Sequence, residues 1–494
     1  MSKTFFFIAI FLLNTIVHAQ WIQKGMDIDG EAANDQSGRS VSMSSNGNTI
    51  AIGAYSNDGA GADAGHVRIF EWNGTTWIQK GIDIDADAAD DRSGYSVSIS
   101  SDGNDLAIGA INNDGSASNA GHVRIYEWDG TAWVQKGVDI DGEAADDQSG
   151  FSVSMSSNGN ILAIGAWNND GAGINSGHTR IYEWIGTWAQ KGADIDGEAP
   201  VDLSGYSVSL SSDGNTVAIG ANNNDGSGSN SGHARVYEWS GTTWTQKGMD
   251  INGEATGDNS GGSVSMSSNG NTIAIGAHKN DETGIDAGHV RIYEWSGTAW
   301  TQKGADINGE AADDRSGTVS LNSDGNTVAI GAFYNDGAAT DAGHVRIYEW
   351  NGSVWVQKEL DIDGEAADDL SGYSVSMSSD GNSLAIGAYL NDGAGIDAGH
   401  VRIYEINTVG VLENSFRNDP LLYPNPTDGN FTIDLRNIYT SVNITMTDIN
   451  GKLIQSQQYK KRQLFNLTIG GPAGIYLLTI ESEDKKALIR LIKD

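Results

Sequence analysis

Residues 77–132 read WIQKGIDIDADAADDRSGYSVSISSDGNDLAIGAINNDGSASNAGHVRIYEWDGTA, and at Trp133 the same phrase begins again. The W-x-Q-K opening recurs at Trp21, Trp77, Trp133, Trp188, Trp244, Trp300 and Trp355, at spacings of 56, 56, 55, 56, 56 and 55 residues. The period is longer than that of the common helical repeats, and nothing within it shows a 3.6-residue rhythm. Instead, Ser96–Ser101 alternates small polar residues with Val97 and Ile99, as a half-buried strand does. Asp102-Gly103-Asn104 is a tight hairpin signal. Leu106–Ala110 is a short apolar strand, and His122–Trp128 a longer one rich in β-branched and aromatic residues. Asp129-Gly130-Thr131 turns the chain into a fourth strand, Trp133–Lys136. Four strands repeated seven times predict a seven-bladed β-propeller.

The ends of the array are complementary. The last three-strand unit, Ser374–Glu405, has no W-x-Q-K strand after it, and the first such strand, Trp21–Lys24, has no three-strand unit before it. Joining the two completes a blade, closes the ring and removes an open sheet edge. With strands running outward from the axis, the D-G-N and x-G-T hairpins share one face. The long N-D-G-x-G-x-x-A-G loops and the acidic D-I-D-G-E-A-A-D-D connections share the other, where binding is expected.

Outside the array, the first nineteen residues read as a secretory signal peptide. Lys3 is followed by a mostly apolar stretch from Phe5 to Val17 and by the small-residue site Val17-His18-Ala19. No other stretch approaches the eighteen apolar residues of a membrane span. The expected organisation is therefore signal peptide 1–19, propeller 20–406, linker 407–415 and a C-terminal domain 416–494. That last domain reads as a small β-sandwich of alternating strands and holds four of the five prolines. Cysteine is absent, so burial and ring closure must hold the fold. Residues 407–494 carry ten Lys/Arg and nine Asp/Glu. The rest carries 19 against 56, a net of −37. Such a surface repels phosphate backbones, which argues against nucleic acid as a partner.

The S-G-Y-S-V-S-x-S-S-D-G-N-T-x-A-I-G-A core resembles the FG-GAP repeat of integrin α-subunit propellers and bacterial surface proteins, over residues 21 to about 406. The resemblance implies adhesion or ligand binding, often with calcium. The calcium loop of that family, D-x-D-x-D-G, is reduced here to Asn46-Gly47-Asn48, Asp102-Gly103-Asn104 and their counterparts. One carboxylate or none cannot supply the six to eight oxygens that calcium prefers. The tail resembles the type IX secretion C-terminal sorting domain. It carries Leu422-Tyr423-Pro424-Asn425-Pro426, Gly429–Ile433, Asp448–Lys452, Gly474-Ile475-Tyr476-Leu477 and Leu491-Ile492-Lys493. That resemblance implies passage through the type IX machinery, removal of the tail, and release or attachment at the cell surface.

Several residue sets invite a functional reading. The inter-blade connections cluster carboxylates: Asp27, Asp29, Glu31 and Asp35 in the first, and Asp139, Asp141, Glu143 and Asp147 in the third. These are either solvated turns and caps or divalent-cation sites, calcium being the candidate. His66, His122, His178, His233, His289, His344 and His400 all open the third strand. Blade-equivalent residues stand apart around a ring and cannot share one metal, so a repeated structural hydrogen bond is expected of them. The paired tryptophans are expected between blades, with sugar stacking as the alternative, and the H-V-R arginines in structural pairs. Catalysis needs an asymmetric constellation, which near-identical blades do not offer, and G-x-S-x-G, H-E-x-x-H and phosphate-loop motifs are missing. The irregular spots are His278-Lys279, Gly262 and a one-residue deletion near Thr318, for which repeat drift is an equal explanation. The sequence thus points away from an enzyme, with a propeller hydrolase or lyase as the distant alternative. It points to a secreted or surface adhesin binding a protein or glycan multivalently, or to a structural surface protein.

Overall fold

The computed structural model describes residues 20–407, 416, 420–448, 452–472, 474–482 and 485–493. The expected signal peptide and most of the linker lie outside them. No described residue is helical, so no helix is long and apolar enough to cross a membrane. Two compact units form, Trp21–Ile406 and the C-terminal residues.

The first unit contains seven antiparallel sheets, one per repeat. In the first blade the strands Ser37–Met43, Thr49–Ala54, His66–Trp72 and Trp77–Gln79 lie side by side. The middle strand is buried from end to end, which explains why A-I-G-A is apolar without alternation. The fourth strand is shorter than expected. Only Trp77, Ile78 and Gln79 pair with the seven-residue third strand, and the chain then bulges through Lys80–Asp83. Ile84 and Asp85 return to pair with Val67 and His66. The D-I-D connection is therefore partly a fifth strand segment, which covers the otherwise bare end of the third.

The apolar cores lie between blades. One cluster joins Val67, Ile69 and Ile84 of the first blade to Val97, Leu106 and Ile108 of the second, and equivalent clusters follow round the ring. Another joins Ile28, Val401 and Ile403 of the last blade to Ile50, Ile52 and Trp77 of the first. A seventh packs Trp21 with Ile362, Leu384 and Tyr404. Seven cores for seven blades leave no open interface, and the ring is closed. The N-terminal strand Gln20–Gln23 pairs with His400–Asn407, and the Lys24 amide donates to the Ile403 carbonyl at 2.7 Å. At the inner end, Ser374 Oγ donates to the Gly38 carbonyl, 336 residues away, at 2.7 Å. Equivalent serines join the first four pairs of blades, as Ser40 does to Gly94. Gly53 in A-I-G-A makes this approach possible, because a β-carbon there would run into the Gly94 carbonyl oxygen.

The C-terminal unit is one hydrogen-bonded sheet of Leu421–Tyr423, Asn430–Asp448, Leu453–Thr468, Gly474–Ser482 and Lys485–Lys493. Its longest strand breaks register between Asp434 and Tyr439, where Arg436 takes φ 60°. Ile433 and Leu435 before the break share one apolar cluster with Ile444, Met446 and Leu478 after it, all at 3% exposure or less. Such burial on one sheet face requires a second layer, and the sheet's own two halves supply it, giving a sandwich.

Candidate functional site

In five of the seven blades the first strand begins with a bulge. In the first blade the pairing slips between Ser37 and Ser40, and Arg39 occupies the slipped position. The equivalent residues are Tyr95, Phe151, Tyr206, Gly262 and Tyr373. Being on innermost strands, they converge on the ring axis, where with Phe333 and His278 they line a cavity of about 320 Å³. Strand order places this cavity at the long-loop face. Toward the hairpin face, Met43, Ile99, Met155, Leu210, Met266 and Met377 line a smaller one of about 120 Å³.

A second circle of residues, each following A-I-G-A, packs behind the first. Trp167 lies 4.8 Å from Phe151 between ring centroids, Phe333 5.2 Å from Tyr373, and Tyr389 4.6 Å from Tyr373. Arg39 is the single cation among the aromatic residues of the inner circle. Its guanidinium stands 4.3 Å from the Tyr95 ring centroid and 4.5 Å from that of Tyr373. Burial pushes the Tyr206 and Tyr389 hydroxyls above the ordinary tyrosine range, so they remain protonated hydrogen-bonding groups.

Several irregular residues of the repeat meet here. Gly262 leaves room for His278, since a β-carbon on it would lie 2.8 Å from His278 Nδ1. Burial first, then the Lys279 and Arg315 charges, lower the His278 pKa to about 4, so the ring is neutral at neutral pH. The one-residue deletion puts Gly317 and Thr318 into the same wall. The cations follow the same pattern. Residues 20–406 contain eighteen Lys/Arg, of which fourteen are the repeated W-x-Q-K lysines and H-x-R arginines. The other four are Arg39, Arg92, Lys279 and Arg315. Arg92 covers Tyr55 at 5.7 Å, Arg315 covers Tyr334 at 4.7 Å, and Lys279 adjoins His278. No carboxylate lines the cavity among the described residues. Sequence reading found three of these irregularities singly. Superposing the seven copies and asking where they disagree would have found the site.

The carboxylates grouped by the sequence are dispersed by the fold. Asp35 and Asp147 are buried and accept from the Asn57 and Asn169 side chains at 3.0 Å, each also capping a backbone amide in its own loop. Asp27 and Asp29 approach His400, whereas Glu31 approaches His66 and Asp83. Asp139 lies 3.7 Å from His122, and Glu143 lies 3.7 Å from Arg180, as Glu31 lies 3.6 Å from Arg68. Asp141 pairs through its backbone with His122. Each cluster thus offers one imidazole and two or so carboxylates beside an arginine, which does not fit calcium's demand for many oxygens. The D-G-N hairpins fit it no better, because Asp102 is engaged by Ser100 and the Asn104 amide. The repeated histidine hydrogen bond is also not formed. In six of the seven, Nδ1 or its neighbourhood holds a carboxylate only at 3.7–4.0 Å, and Nε2 is buried without a partner in six, His233 being the exception.

The tryptophans do join blades. Trp77 Nε1 donates to the Lys24 carbonyl at 2.7 Å, and five later tryptophans repeat this bond. The arginines each reach a backbone carbonyl of the preceding connection, as Arg124 does to Asp85. In the C-terminal unit, Asn425 fastens the Tyr423–Pro426 segment to the last strand by bonds with the Arg490 carbonyl and the Ile492 amide. Tyr476 is buried and donates to the Pro472 carbonyl, while Gly474 and Ile475 pair with Lys493 and Ile492. Ile449–Gly451 lie outside the described residues.

Residues 421–494 match the secretion system C-terminal sorting domain, and residues 27–70 match the FG-GAP repeat. The chain therefore carries an FG-GAP propeller and a type IX sorting domain, and is exported to the cell surface or beyond through that machinery. No curated protein matches the sequence. Among solved structures, hydrazine synthase of Kuenenia stuttgartiensis is similar in fold at 12% identity and a TM-score of 0.50, over 77% of this chain and 97% of that one. U3-55K is similar at 10% identity and 0.46, over 78% and 98%.

Proposed function

We propose that this exported propeller is a binding protein that takes a small ligand, or the end of a larger one, at the axial mouth on its long-loop face. The observation that carries this is convergence. The repeat is nearly invariant where most blades pack, and Arg39, Gly262, His278 and the deletion near Thr318, though far apart in sequence, gather round one cavity. Drift would scatter them over the ring. The chemistry favours binding over catalysis: the cavity holds aromatic faces, hydroxyls, one neutral imidazole and a guanidinium, and lacks a carboxylate to act as base or to orient the histidine. Multivalent binding by seven like sites and a purely structural surface role are the competing readings, and stoichiometry separates all three. Titrating the full chain with hits from a glycan and small-molecule screen should give one site per chain. Phe151→Ala and Trp167→Ala should weaken binding about tenfold or more without loss of the fold. Seven equivalents per chain, or binding unaffected by both variants, would overturn the axial reading.

A further inference from the structure

Resting on that reading, we propose that the axial ligand is an acidic sugar: a pyranose ring carrying one carboxylate, bound through Arg39. Arg39 has no ion-pair partner among the described residues, although the propeller holds a large excess of acid. Its ring contacts are to tyrosines, and its side chain lines the cavity. A planar guanidinium gripped by aromatic faces offers a fork matched to a carboxylate. A ligand carboxylate would supply the missing counter-charge.

The remaining wall suits a sugar. Phe151, backed by Trp167, presents an aromatic face for the C–H face of a pyranose, and Tyr206 and His278 present groups that exchange hydrogen bonds with hydroxyls. A cavity of about 320 Å³ is at the small end of ligand sites, room for one or two rings and not for a folded segment. Charge adds a filter. The surrounding acidic surface repels extended polyanions, whereas Arg39 lines the cavity and no carboxylate does among the described residues. A single negative charge enters and a run of them does not.

The test is calorimetric titration of the full chain with glucuronate, galacturonate, glucuronate methyl ester, glucose and inorganic phosphate, with tryptophan fluorescence as a second readout. At least one uronate should bind at one per chain, with the ester, glucose and phosphate about tenfold weaker or more. Arg39→Tyr installs the residue of blades two, four and seven, so the fold should tolerate it, and Arg39→Gln is a second variant. Both should remove the preference for uronate over ester while leaving the melting temperature within a few degrees. Trigalacturonate, a run of three charges, should bind more weakly than galacturonate, and tighter binding would overturn this charge filter. Failure of both uronates to bind, equal binding of the ester, equal binding of phosphate, or an unchanged preference in both variants would overturn the proposal. A neutral ligand lost on Phe151→Ala but indifferent to Arg39 would overturn the acidic sugar alone and leave the axial binding site standing.

Discussion

Each of the seven repeated histidines is at most 2% exposed. Burial first, and then the arginine two residues on, lower their pKa, to about 4 for His178, His233, His289 and His344. Around His178, Asp194 and Asp147 oppose the shift and do not cancel it. In the unfolded chain the same groups titrate near 6.5. Between these values the unfolded state binds more protons, so the stabilisation is fully present above pH 6.5 and is lost as pH falls toward 4. Each histidine should cost on the order of 1–2 kcal/mol at pH 5. The melting temperature should therefore fall markedly from pH 7.5 to pH 5, and a double His178→Gln, His233→Gln variant should fall less steeply. A flat melting profile over that range would contradict the assignment. Their position at the head of the third strand was legible in the sequence. Their lack of a hydrogen bond was not, because it depends on what the neighbouring blade leaves within reach.

The fourth strand does more than finish a blade. Lys24 Nζ reaches the next blade, donating to the Gly47 carbonyl at 3.1 Å and to Asn48 Oδ1 at 2.8 Å, beneath the Trp72 and Trp77 rings. Five further lysines do the same. The seam between the sixth and seventh blades departs from this. Trp21 Nε1 is buried without a partner, and Lys358 turns back to Glu349 at 3.8 Å. Ile406 replaces the usual tryptophan, and Glu359 replaces a glycine while keeping its positive φ of 69°. At the other six seams that glycine is required, since a β-carbon on Gly25 would lie 2.9 Å from the Trp72 ring. Removing the strained φ at residue 359 gains about 1–2 kcal/mol, and glycine's entropy returns about 0.5–1 of it. Glu359→Gly should thus raise the melting temperature slightly. Lys24→Ala should cost about 1–3 kcal/mol by leaving buried acceptors unmet, and Lys358→Ala much less. Equal losses in calorimetry would contradict this ranking of the seams.

At the scale of the molecule, the strands, the blade count and the closing strand were legible because a 56-residue period repeats its hydrophobic alternation and turn residues seven times. The orphan strand at one end and the orphan three-strand unit at the other needed only to be matched. The fifth strand segment was hidden, since two residues within an acidic stretch carry no periodic signal. The axial cavity was hidden for a deeper reason. Arg39, Gly262 and His278 lie hundreds of residues apart at most and share no local motif, and only the closed ring brings them face to face. Closure is thus the premise of the site as well as of the fold. It can be tested cleanly because the chain has no cysteine. In the second blade Gln135 faces Tyr126 across the third and fourth strands, and the equivalent pair at the closure is Gln23 and Tyr404. Gln23→Cys with Tyr404→Cys, oxidised in the full chain, should form a disulfide within one molecule, read by mass spectrometry of the peptides. If Gln23→Cys instead links to Phe70→Cys, on the third strand that follows it in sequence, the closed ring is wrong.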